Sequence, residues 1–160
     1  MFTVVLYRPE IPPNTGNIGR LTLGTGSNLV IVGKPGFELT EEAAVKRAGL
    51  DYWDKVRPVC YPTWAEYCRA PVNNRYLLTK FSSKAYYQPD YCEGDHLIFG
   101  GETRGVPESI HSDPSVQPIC LPMCNKIRAY NLANSVSAVL FEALRQVLPG
   151  WFTSTPYSPD

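Results

Sequence analysis

Apolar and polar positions follow two periods along this chain, and the two periods alternate. Phe2–Tyr7 (FTVVLY) is an almost unbroken apolar, β-branched run, which predicts a strand covered on both faces. After the loop RPEIPP, residues 14 to 25 carry Ile18, Leu21 and Thr22 on one helical face, with Asn14 or Thr15 placed to cap it. Leu29–Val32 predicts a second strand, ended by Gly33, Pro35 and Gly36. Thr40, with the acidic residues after it and Ala43, Ala44, Val45 and Ala48, predicts a capped helix closing near Gly49. Val56–Cys60 is a candidate strand and residues 63 to 69 a short helix. Arg75–Thr79, His96–Phe99 and Ile119–Leu121 are apolar runs of strand length. From Asn131 onward, Leu132, Val136, Val139, Leu140, Ala143, Leu144, Val147 and Leu148 recur at three-and-four spacing, and Pro149-Gly150 stops the helix they define. Strands alternating with helices predict a single α/β domain with a mainly parallel sheet over residues 1–152. The Ser, Thr and Pro-rich residues 153–160 are expected to be a flexible tail.

Composition narrows the class. The 160 residues suit one domain, and a 44% hydrophobic, 19% charged chain is neither disordered nor fibrous. Fifteen basic residues balance fifteen acidic ones. A nucleic-acid partner must therefore be met by a local patch and not by a bulk basic surplus. The five cysteines, Cys60, Cys68, Cys92, Cys120 and Cys124, are odd in number and include no Cys-x-x-Cys pair, the pattern of reduced intracellular thiols. Cys120 and Cys124 have only His96 and His111 to complete a metal site, and no metal is expected. The first residues lack a basic lead and a cleavage site, and no run approaches the length of a membrane span. The expected compartment is the cytoplasm, with no membrane partner.

Two common α/β chemistries fail on order and motif. Gly24-Thr25-Gly26 follows a helix and precedes a strand, the reverse of a pyrophosphate-binding loop, and reads as a helix C-cap. Gly-x-Ser-x-Gly is absent, and His111-Ser112-Asp113 is a polar loop. Three other clusters sit where strands end. The first is PPNTGNIGR (Pro12 to Arg20), which brings amide and guanidinium donors to the carboxyl end of the first strand. A capped helix with a solvated Arg20 would carry the same residues. The second is LIFGGETRGVP (Leu97 to Pro107), where two glycines let a ligand approach the backbone, and Glu102 and Arg104 follow. A turn with a surface ion pair is the simpler alternative. The third runs from Leu121-Pro122-Met123 to the amide-rich start of the last helix, Asn125 to Ser135.

Taken in order, PEIPPNTGNIGR, LIFGGETRGVPE and ICLPM with RAYNLANSVSAVLFEALRQ resemble motifs one, two and three of the SPOUT-class RNA 2'-O-methyltransferases. The opening VVLYRPEIPPNTGN, the segment GLDYWDKV and the compact length are most similar to the subfamily acting on cytidine or uridine 34 of tRNA. This resemblance spans about residues 2 to 148.

The resemblance implies a SPOUT fold with a C-terminal deep trefoil knot, a homodimer, and S-adenosyl-L-methionine as methyl donor, released as S-adenosyl-L-homocysteine. It assigns the donor to Leu78, Gly100, Glu102, Leu121, Ala129 and Asn131, held largely by backbone groups. It assigns catalysis to Arg20, with Asn14 shaping the same pocket and Tyr130 reaching the nucleotide. The implied partner is the anticodon stem-loop of tRNA, met by a patch of Arg8, Arg20, Arg104, Lys126 and Arg128. Three positions depart from the family pattern: Ala129 stands where serine is common, Gly101 where proline is frequent and Pro13 where glutamine is frequent.

Overall fold

The structure, a computed structural model, describes residues 1–37, 53–124, 126–148 and 150. Its strands are β1 (Thr3–Tyr7), β2 (Asn28–Val32), β3 (Val59–Tyr61), β4 (Arg75–Leu78), β5 (His96–Gly100) and β6 (Val116–Ile119). They form one sheet in the order β3-β2-β1-β5-β4-β6, and every pairing is parallel. Two long helices, α1 (Pro12–Thr25) and α5 (Leu132–Val147), are accompanied by the one-turn helices α2 (Trp53–Val56), α3 (Trp64–Tyr67) and α4 (Glu108–His111).

Successive strand residues face opposite sides, so the sheet divides its apolar residues between two cores. Val4, Leu6, Leu97 and Phe99 pack with Ile18 of α1 and with Val136, Leu140 and Leu144 of α5. Val5, Leu77 and Ile98 pack on the other side with Tyr67 and Ile110. Coverage on both faces is why β1 and β5 read as unbroken apolar runs. The three-and-four stripe of α5 is buried from Leu132 to Leu144, and each such large side chain contributes about 1.5–3 kcal/mol relative to exposure.

Several boundaries differ from those the sequence predicts. Helix α1 begins at Pro12, two residues earlier, and its N-cap, Ile11, makes no side-chain cap. Pro12 and Pro13 have no N–H to satisfy, so a capping side chain is superfluous and Asn14 is released for another task. The residues from Trp53 to Val56 form α2, and β3 starts only at Val59, after Arg57 takes a left-handed φ of 43°. The last strand covers Val116–Ile119 and not Ile119–Leu121. Pro118 disguises it, and is tolerated because β6 lies at the edge of the sheet. One local expectation holds, since Gly26 closes α1 with a left-handed φ of 65°; the short helix expected over residues 63 to 69 is the single turn α3, capped by Thr63, which accepts from the Glu66 N–H at 3.2 Å. The helix expected between Thr40 and Gly49, Pro149, and residues 153–160 lie outside the described residues. No helix among the described residues is long and apolar enough to cross a membrane.

Candidate active site

The carboxyl ends of β4, β5 and β6 open into a cleft of about 620 Å³. Strands β1, β5 and β4 are neighbours, so the loops leaving them converge there. Each of the three sequence clusters contributes to the wall: Asn14 from the first, Gly100, Glu102 and Arg104 from the second, Leu121, Arg128, Ala129, Tyr130 and Asn131 from the third. Leu78, at the end of β4, lines it as well.

A chain of hydrogen bonds ties the clusters together. Asn131 donates from Nδ2 to Asn14 Oδ1 at 3.0 Å. Asn14 donates in turn from Nδ2 to Glu102 Oε1 at 2.9 Å, and Glu102 Oε2 accepts the Glu10 N–H at 2.8 Å. The remaining end of Asn131 is also engaged, because its Oδ1 caps α5 by accepting from the Asn134 N–H at 3.2 Å. Neither amide can turn over without placing donor against donor. Asn14 is buried, so losing either partner would leave a polar group in a dry place.

Glycines shape the second loop, and the chain itself uses the space they leave. A Cβ on Gly100 would lie 2.5 Å from the Gly105 carbonyl carbon, and one on Gly101 would lie 2.6 Å from the Arg8 oxygen. The loop closes through Gly105, with φ of 66° and its N–H donating to the Gly101 oxygen at 2.8 Å. What approaches these glycines most closely is therefore backbone of the same chain, while Gly100 still presents an edge to the cleft. On the third loop, Tyr130 donates its hydroxyl to the Pro122 oxygen at 3.0 Å, and the Cys120 N–H donates to the Lys84 oxygen at 2.8 Å.

Three residues of the expected patch do not line the cleft. Arg20 is exposed on α1, six residues beyond Asn14 and therefore about 120° away around the helix. Arg8 sits at the end of β1 with a left-handed φ of 47°, its guanidinium over the Tyr7 ring at 5.4 Å. Lys126 is exposed in the third loop. The cleft also gathers residues that no motif announced: Lys80 and Phe81 after β4, and His111 at the end of α4. The one signal for the first pair is a lysine and an aromatic side by side just past a strand end.

The lining suits a sulfonium nucleoside. Its volume is that of a small-molecule site, Ile11, Leu78, Leu121 and Met123 give apolar walls, and strand-end backbone supplies hydrogen-bonding edges. Fold and cleft together define an α/β protein with a small-molecule site at the carboxyl ends of a parallel sheet. The chain belongs to the SpoU rRNA Methylase family, which it matches over residues 1–141. It is 43% identical to the tRNA (cytidine(34)-2'-O)-methyltransferase of Methylovorus glucosotrophus over 148 residues, 91% of this chain and 96% of that one. With the tRNA (cytidine(34)-2'-O)-methyltransferase of Escherichia coli K12 it shares 42% identity over 149 residues, 92% of this chain and 94% of the relative. A solved structure described as giving insights into the 2-OH methylation of C/U34 on tRNA superposes with a TM-score of 0.85 at 36% identity, covering 94% of this chain and 97% of that one.

Proposed function

We propose that this chain methylates the ribose 2'-hydroxyl of tRNA nucleotide 34, a cytidine or uridine, with S-adenosyl-L-methionine as donor. The observation that carries the reading is the path from Asn131 through Asn14 to Glu102, which makes one wall out of three motifs far apart in sequence. The full-length likeness to relatives named for this reaction supports the choice of nucleotide.

When bound, S-adenosylmethionine supplies a methyl group already activated by a positive sulfur. The ribose oxygen gains the methyl carbon, the carbon–sulfur bond breaks, S-adenosylhomocysteine leaves, and the hydroxyl proton passes to solvent or a phosphate oxygen. The protein therefore has mainly to position the hydroxyl and guide its proton. On this reading the backbone at Leu78, Gly100, Leu121 and Ala129 holds the donor, and Glu102 and Asn131 keep the loops in register. Tyr130, anchored through its hydroxyl, borders the nucleotide. Arg104 and Arg128 meet phosphates.

A guanidinium offers hydrogen-bond donors and no acceptor, so Arg20 orients the hydroxyl and a neighbouring phosphate. Its place outside the cleft of its own chain fits a homodimer in which Arg20 reaches the cleft of the second copy. Leu23 on α1 and Phe141 on α5, each about two-fifths exposed, supply apolar surface for such a pairing. The segment after β6, bridged to Ala85 through Cys120, is the part we expect to thread as a trefoil knot.

Labelled S-adenosylmethionine and unmodified tRNA, followed by nuclease mapping, test the reaction. Label on the 2'-oxygen of nucleotide 34 is the expected result. Label on a base, or on another ribose, overturns it.

A further inference from the structure

Among the described residues Phe81 is the most exposed large apolar side chain, at 77%. It is not on a loose loop. Its own N–H donates to Thr79 Oγ1 at 3.3 Å. The next residue, Ser82, donates its hydroxyl to the Pro118 oxygen at 2.8 Å and accepts the Lys84 N–H at 3.0 Å. Lys84 is held in turn by the Cys120 N–H at 2.8 Å. The backbone thus presents the ring to solvent from a segment pinned to β6, and an aromatic held out in this way is preorganised for a partner. The ring borders the cleft, stands edge-to-face with His111 at 5.7 Å between centroids, and has the Lys80 ammonium 5.2 Å from its centre.

The charges around it favour a polyanion. Lys80, Arg104 and Arg128 line the same cleft, and the one carboxylate that lines it among the described residues, Glu102, is occupied by Glu10 and Asn14. An open aromatic face beside several cations is how proteins take hold of unpaired nucleotides, the ring meeting a base and the cations meeting phosphates. A chain with equal numbers of acidic and basic residues can grip RNA only by such a local arrangement.

We propose that Phe81 is a stacking platform for an unpaired nucleobase of the RNA substrate, the one beside the nucleotide being methylated, with Lys80 on the adjoining phosphate. This deepens the functional reading above and rests on it. Phe81 is a positioning residue: it holds the loop so that the target ribose enters the cleft, and it touches neither the donor nor the reacting oxygen.

The test is a fluorescence titration of an anticodon stem-loop RNA carrying 2-aminopurine beside nucleotide 34, with calorimetry of S-adenosylmethionine on the same proteins. Phe81→Ala and Phe81→Leu should each weaken RNA binding about 10-fold, the size of one lost base stack, and abolish the quenching of 2-aminopurine. Phe81→Trp should keep both, and all three should bind S-adenosylmethionine as the unaltered protein does, which also certifies their fold. A fully paired RNA should not distinguish the variants. Unchanged RNA binding by Phe81→Ala would overturn the proposal, as would full RNA binding by Phe81→Leu, which would mark a merely apolar contact. Weakened S-adenosylmethionine binding with RNA binding intact would assign the ring to the donor. If the unaltered protein binds and quenches the RNA but methylates nothing, the proposed reaction falls and the stacking platform stands.

Discussion

The two ends of the sheet carry two polar constellations built on opposite principles. At the amino-terminal ends of β4, β5 and β6, Arg75, Tyr67, His96, Cys68, Trp64 and Asp113 close on one another. Arg75 is buried and donates to the Cys68 and Ala70 oxygens at 3.1 and 3.2 Å, with its guanidinium 5.3 Å from the Tyr67 ring centre. Tyr67 and His96 share a 2.8 Å hydrogen bond, and Trp64 donates to Asp113 at 3.0 Å. Burial, helped by the Arg75 charge, pushes the His96 imidazole down to about 4, and burial pushes the Tyr67 hydroxyl well above the usual phenol range. At the carboxyl ends, Asn131, Asn14 and Glu102 instead join loops up to 117 residues apart, and cations and an aromatic stand open around them. On the proposed reading, displaced titration here belongs to the scaffold, while long-range connection beside open donors belongs to the site. The chemistry explains the division, since a sulfonium donor needs an aligned hydroxyl more than it needs a tuned base.

Substitutions at the two ends should separate accordingly. The largest effect on turnover is expected from Arg20→Lys, which keeps the charge but loses the planar fork. A loss on the order of 100-fold in kcat, with S-adenosylmethionine affinity retained, is the expected outcome in single-turnover assays. Unchanged turnover would remove Arg20 from the mechanism. At the other end, Arg75→Ala should lower unfolding free energy by about 2–3 kcal/mol in urea titrations, because it strands two carbonyls and the Tyr67 face. Activity per folded molecule should not change. Selective loss of activity in that variant would mean that the scaffold reaches into the site. Between these lies Asn14→Ala, expected to cost about 1 kcal/mol of stability and about 10-fold in kcat/KM, since Glu102 keeps only the Glu10 N–H.

The smaller predictions concern pH and salt. The folded His96 titrates below its ordinary value of 6.5, so its contribution to stability is complete above that pH and declines as pH falls from 6.5 toward 4. Because His96 is only partly buried, the loss should be about 1 kcal/mol, read as the difference in pH dependence between the unaltered protein and His96→Gln. Identical pH curves would remove His96 from the acid response. For RNA binding, the cleft cations Lys80, Arg104 and Arg128, with Arg20 from the second copy, set a logarithmic salt slope of about −3 per protomer. A much steeper slope would mean that Arg8 and Lys126 join the same interface.

The sequence made the sheet and both long helices legible because their patterns are strong. FTVVLY and HLIF can only be strands covered on two faces, and the α5 stripe has one reading. β6 was hidden by Pro118, whose place at an edge is a fact of topology that no local pattern carries. The three clusters were visible as polar loops at strand ends, yet their convergence depends on β5 lying between β1 and β4, which follows from tertiary pairing alone. Asn14 looked like a helix cap because the prolines before it conceal that no cap is needed. Lys80 and Phe81 were illegible for another reason: only exposure, a property of the folded chain, distinguishes Phe81 from a core aromatic.

The contrast between the two ends is tested most directly by following backbone amide chemical shifts while S-adenosylmethionine is added to the isotope-labelled protein. The account predicts large shifts at Leu78, Gly100, Leu121 and Ala129, with Arg75, His96 and Asp113 unmoved. Shifts concentrated at the Arg75 and His96 end, with the cleft silent, would contradict it.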